Sequence, residues 1–124
     1  MNKVSMFARY LIGIIFLGAG IAGLTGNVPP PEPESAQAFM TVLVSSGVLG
    51  IVKIIEVASA IALLSGFFVP AALFLLAPII FNILWFHGMF DPSGLPIGIT
   101  LTGLWLLTAY SYKNIFLSFL QSKQ

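Results

Sequence analysis

Four stretches of this chain, residues 4–24, 48–65, 68–87 and 97–112, are apolar almost without interruption. As a helix the first would be about 31 Å long, close to the roughly 30 Å hydrocarbon core of a bilayer. Only 7% of residues are charged and 58% are hydrophobic, against about 25% charged in an ordinary soluble domain. The expectation is an all-α membrane protein, a four-transmembrane-helix bundle forming a single domain over residues 1–124. A cleavable signal peptide is the competing reading of the first stretch, since Lys3 precedes an apolar run with small residues at 19–22. Arg9 inside that run and three further spans weigh against it.

Between the first two spans lies TGNVPPPEPES, whose prolines cannot donate backbone hydrogen bonds and favour extended chain. Residues 36–46 then mix Phe39, Met40, Val42 and Leu43 with Gln37, Thr41 and Ser45, the composition of a short helix lying at the membrane interface before the second span. Gly66 is placed to stop the second span. Pro70 suits the first turn of the third, and Pro78 is expected to kink it. Asp91-Pro92-Ser93-Gly94 reads as a turn, with Pro96 opening the fourth span. Lys3, Arg9, Lys113 and Lys123 flank one set of span ends, whereas Glu32, Glu34 and Asp91 occupy the opposite loops. The positive-inside rule therefore predicts that both termini are cytoplasmic. The expected location is the inner (cytoplasmic) membrane.

Charge at membrane depth costs roughly 2.5–3.5 kcal/mol per group and persists where partners offset it, so Arg9, Lys53 and Glu56 are the first candidates for function. Lys53 and Glu56 are one helical turn apart and can pair. For Arg9 two readings stand side by side: it reaches Glu56, or it snorkels to the cytoplasmic interface. Arg9, Gly13, Phe16, Gly20 and Gly23 share one face of the first helix, and Leu49, Lys53, Glu56, Ala60 and Leu63 one face of the second. Ala19/Gly23 and Gly18/Ala22 also fit the small-xxx-small spacing that lets helices approach closely in lipid. Pro78, Asn82 and Trp85 fall on one face of the third helix, and Gly98, Thr102, Trp105, Thr108 and Tyr112 on one face of the fourth. Turned toward the charges, Asn82, Trp85, His87 and Trp105 would complete a polar intramembrane pocket. His87 also matches Asp91 one turn on, the spacing of an interfacial hydrogen bond.

Several chemistries are excluded. With no cysteine, thiol redox chemistry and Cys-ligated metals are ruled out, and one histidine cannot supply bis-His haem ligation within the chain. A formal net charge of +1 offers no surface for nucleic acid.

Taken in order, ARYLIGIIFLGAGIAGL, AFMTVLVSSGVLGIVKIIEVASAIALLSGFFVP and APIIFNILWFHGMFDPSGLP resemble the small DoxX-like membrane proteins. Arg9, the AFM helix, Lys53, Glu56, Asn82, His87 and the Asp91-Pro92-Ser93-Gly94 turn carry the likeness, which covers most of the chain. The resemblance implies a four-helix membrane bundle in a family named after a small subunit of a thiosulfate:quinone oxidoreductase, with relatives tied to membrane redox complexes. Wider relatives of similar architecture, the vitamin K epoxide reductases, use cysteine pairs that this chain lacks.

The leading expectation is an accessory subunit that binds a quinone-like or lipid-like head group among Arg9, Lys53, Glu56, Asn82, Trp85, His87 and Trp105. Quinone carbonyls would accept hydrogen bonds from such donors. Quinone is the candidate cofactor, and any oxidoreductase activity would draw its electrons from a partner subunit or bound group. The alternative is a non-catalytic scaffold or assembly factor for other membrane proteins, with homo-oligomers a further option. Proton-coupled transport ranks last, because Lys53 beside Glu56 would hold the carboxylate ionised.

Overall fold

Asn2 begins the first helix: its side-chain oxygen accepts the Ser5 amide at 2.7 Å, satisfying one of the donors that a helix start leaves unpaired. From there α1 (Lys3–Thr25) runs to Gly26, whose φ of +76° and amide bond to the Ala22 carbonyl close the last turn. The computed structural model describes residues 2–26 and 30–121. After α1 come α2 (Glu34–Ser45), α3 (Val48–Ser65), α4 (Val69–Met89), a 3-10 turn at Pro92–Gly94, α5 (Leu95–Tyr110) and α6 (Lys113–Ser118). No strand occurs among the described residues. Residues 27–29 of the proline-rich loop and Lys123 lie outside the described residues.

Among the described residues, four helices are long and apolar enough to cross a membrane: α1, α3, α4, and α5 with the 3-10 turn that leads into it. They sit where the apolar stretches predict, with shifted ends. The third runs on to Met89, and the fourth starts at Leu95 because Pro96, lacking an N–H, fits inside a first turn. The chain leaves α5 at Tyr110 and turns into α6, which the sequence reading did not anticipate.

The long helices alternate in direction and form a ring, α1 beside α3, α3 beside α4, α4 beside α5, and α5 back against α1. Ser5 Oγ donates to the Leu107 carbonyl at 2.7 Å, tying the start of α1 to the end of α5. Ile12, Phe16, Ala60, Leu63, Leu73, Leu76 and Leu101 fill the centre. α2 packs against α3, and its Phe39 meets Phe86 and Phe90 at the end of α4, with ring centroids 5.3 and 5.4 Å away. This topology gathers Lys3, Arg9 and Lys113 at one end and Glu32, Glu34 and Asp91 at the other.

The outside is as apolar as the inside. Phe7, Ile14, Ile21, Ile54, Ile61, Phe74, Phe81 and Leu106 are all exposed, spread over all four long helices. Soluble monomers rarely expose contiguous apolar patches beyond a few hundred Å², so this exterior and the helix lengths together indicate a multi-pass membrane protein.

Pro78 offers no N–H to the Phe74 carbonyl, which loosens the backbone of α4 there. One residue earlier, the Leu73 carbonyl accepts Trp105 Nε1 at 2.8 Å, and the indole also packs on Phe116 of α6. Trp105→Phe removes this donor and also replaces the indole by a smaller phenyl ring, so it should lower stability by about 1 kcal/mol for the bond and by more where the lost volume leaves a gap, read by unfolding in mixed detergent micelles.

Candidate functional site

The only ion pair among the described residues lies in the seam between α1 and α3. Glu56 is 2% exposed, and Lys53 Nζ stands 3.3 Å from its Oε1. Two glycines of α1 make the room. A Cβ on Gly20 would come within 2.6 Å of Val57 Cγ2 and 3.2 Å of the Lys53 carbonyl, so the backbones meet here at glycine distance. A Cβ on Gly23 would fall 2.6–2.8 Å from Lys53 Cγ, Cδ and Cε. The lysine stem therefore lies along the strip that Gly23 leaves bare, and the ammonium is presented to Glu56. Gly18, by contrast, has nothing within 4 Å of where its Cβ would be, so the Gly18/Ala22 spacing mediates no close approach among the described residues. Ser59, one turn from Glu56, is buried and its Oγ has no hydrogen-bond partner among the described residues. The sequence reading passed over it, although its spacing from Glu56 and Leu63 places it on the same face.

Arg9 does not join this pair. Its guanidinium lies against Gly66, which is ten residues of α3 away from Glu56, or about 15 Å along the axis. There it meets the carbonyl end of α3, where the helix dipole favours a cation, and it covers the Tyr10 ring at 4.7 Å. The two readings left open for Arg9 thus resolve toward the end of the bundle.

Asn82 and Trp85 face away from the bundle. Both are exposed, Trp85 at 54%, and the indole stacks on Phe81. The reason lies in α4, whose Val69, Ala72, Leu73, Leu76 and Ile80 take the buried side and leave Pro78, Asn82 and Trp85 on the opposite one. His87 closes the α4–α5 connection: its Nδ1 donates to the Asp91 carbonyl at 3.1 Å, and its ring packs so closely on Gly94 that a Cβ there would collide. The Asp91 carboxylate accepts Ser93 Oγ instead. Trp105 does face inward, but it is engaged with Leu73 toward the opposite end of the bundle from Lys53. Of the expected pocket residues, the fold brings together Lys53 and Glu56.

Compared with family models, curated proteins and solved structures, the chain has no match.

Two shallow grooves lie along the contact of α1 and α5. One, of about 440 Å³, is lined by Ser5, Gly103, Leu106 and Tyr110, and the other, of about 370 Å³, by Ile15, Ile97, Thr100 and Leu101. Neither borders Lys53 or Glu56. The charged pair is accordingly a packed contact between two helices. Chemically it can fix the depth and rotation of α1 against α3, since an unpaired charge in that seam is costly.

Proposed function

We propose that this is a DoxX-like, multi-pass protein of the inner (cytoplasmic) membrane that serves as an accessory or assembly subunit, contributing helix-packing surface to a larger membrane complex. In this reading Lys3, Arg9 and Lys113 mark the cytoplasmic side, both termini are cytoplasmic, and α2 lies at the outer interface with Phe39 docked on α4. The charges at the two ends agree with that orientation.

One observation carries the reading: the polar side chains diverge. Lys53 and Glu56 are closed into the α1–α3 seam, while Asn82 and Trp85 stand on the outer face of α4. Such an arrangement stiffens a bundle and leaves hydrogen-bonding groups for a neighbouring helix, where they act in lipid.

A second reading rests on Lys53, whose side chain keeps 18% exposure beside the nearly sealed carboxylate of Glu56. A quinone-like carbonyl or a lipid-like head group would accept a hydrogen bond there.

Native mass spectrometry after extraction in mild detergent separates the two. The accessory reading expects a protein assembly of fixed stoichiometry that persists in the double variant Lys53→Met with Glu56→Leu, in which no unpaired charge is left in the seam. A monomer carrying one small molecule, lost in that double variant while its helicity is retained, would overturn it in favour of the head-group site.

A further inference from the structure

We propose that the outer face of α4 is a self-association surface, on which a second copy of this chain packs in parallel with Asn82 hydrogen-bonded to Asn82 of the other copy. This rests on the membrane reading above and names the partner it leaves open.

Ala71, Leu75, Pro78, Asn82, Trp85 and Met89 follow one another at alternating steps of four and three, and every one is exposed. That spacing is the seam of a two-helix coil. Near its middle the Asn82 carboxamide forms no hydrogen bond among the described residues, and neither does Trp85 Nε1 one turn on. Elsewhere on the outer faces Thr100 donates to the Pro96 carbonyl, and Tyr110 receives Lys113. Asn82 lies seven residues inside the end of α4, about 10 Å below it, where acyl chains offer neither donor nor acceptor.

The chemistry selects the occupant. A carboxamide carries both donors and an acceptor, so it is complementary to itself. Two copies inserted in the same orientation are related by a two-fold axis along the membrane normal, which brings like residues together at equal depth. The stripe contains no charge, so two copies meet without repulsion, and a buried asparagine in such a seam is a known way to fix register.

Because the chain has no cysteine, single-cysteine variants read this contact directly. Leu75→Cys and Met89→Cys on the stripe, with the exposed Ile14→Cys and Ile54→Cys as controls on α1 and α3, are oxidised with copper phenanthroline in native membranes. The expected result is a disulfide-linked dimer from the two α4 positions and little from the controls. In liposomes, Asn82→Leu should raise the dimer dissociation constant about 3- to 30-fold, measured by energy transfer across a series of protein-to-lipid ratios. Asn82→Gln, which retains donor and acceptor, should fall between Leu and the parent.

Four outcomes overturn the self-association while leaving the membrane reading intact: equal cross-linking at all positions, no cross-link in protein recovered from the membrane fraction, cross-links only to a different protein, or no effect of Asn82→Leu. Protein recovered outside the membrane fraction overturns both.

Discussion

Lys53→Met is expected to destabilise the bundle by about 3–5 kcal/mol, and to do so more than Glu56→Gln, although the two substitutions break the same ion pair. The asymmetry follows from what each residue can do when left alone. Glu56 is 2% exposed and its short side chain is fixed in the α1–α3 seam, so without Lys53 its carboxylate has no route to water. Lys53 has a long stem lying along Gly23, near the end of α1, and keeps 18% exposure. Without Glu56 it can swing its ammonium toward the head-group region, and in Glu56→Gln the carboxamide still offers an acceptor. Replacing both at once, Lys53→Met with Glu56→Leu, should recover most of the loss, because an apolar pair of similar volume requires no desolvation of charge. The measurement is unfolding in mixed micelles for the two single variants and the double variant, combined as a cycle. Equal costs for the single substitutions would mean that Lys53 is held as firmly as Glu56, and additivity in the double would mean that the pair contributes no coupling.

Much of this bundle is written in the sequence, because apolar runs of membrane-spanning length bounded by Gly66, Pro70 and the Asp91-Pro92-Ser93-Gly94 turn leave few ways to divide the chain. The faces of α1 and α3 were legible as well. Glycines at steps of three and four, opposite a helix whose charges are spaced by a turn, identify the side that must pack, and Gly13, Phe16, Gly20, Glu56, Ala60 and Leu63 are buried. The orientation of α4 was not legible. That helix is apolar all round, so periodicity says nothing about which side turns inward, and the habit of placing polar groups inside a bundle put Asn82 and Trp85 on the wrong side. Arg9 posed a different problem. Its depth could be read from its position, but its neighbour depends on the register of α1 against α3, which sets Gly20 on Val57 and carries Arg9 past Ser65 to Gly66. The α6 helix went unread because Lys113 marks an exit from the membrane, while the return of Phe116 onto Trp105 depends on tertiary packing.

The same register makes the first helix sharply unequal along its length. Gly20→Ala should cost about 1–3 kcal/mol, since the added methyl meets Val57 Cγ2 at 2.6 Å and has the α3 backbone behind it at 3.2 Å, leaving no flexible side-chain end to yield. Gly20→Leu should push α1 and α3 apart and abolish the cooperative unfolding transition. Two residues away, Gly18→Ala enters open space and should be neutral or raise stability by up to about 1 kcal/mol through helix propensity alone. Thermal unfolding in one detergent, with helicity followed for all three variants, checks the ranking. The larger consequence concerns the charges. The Lys53 carbonyl is part of the Gly20 contact and the Lys53 stem is part of the Gly23 contact, so anything that separates these helices also moves the ammonium relative to Glu56. Gly20→Ala combined with Lys53→Met should therefore cost less than the two added separately, whereas Gly18→Ala combined with Lys53→Met should add. Strict additivity in the Gly20 combination would separate the ion pair from the helix contact, and the pair could then no longer be what sets the depth of α1 against α3.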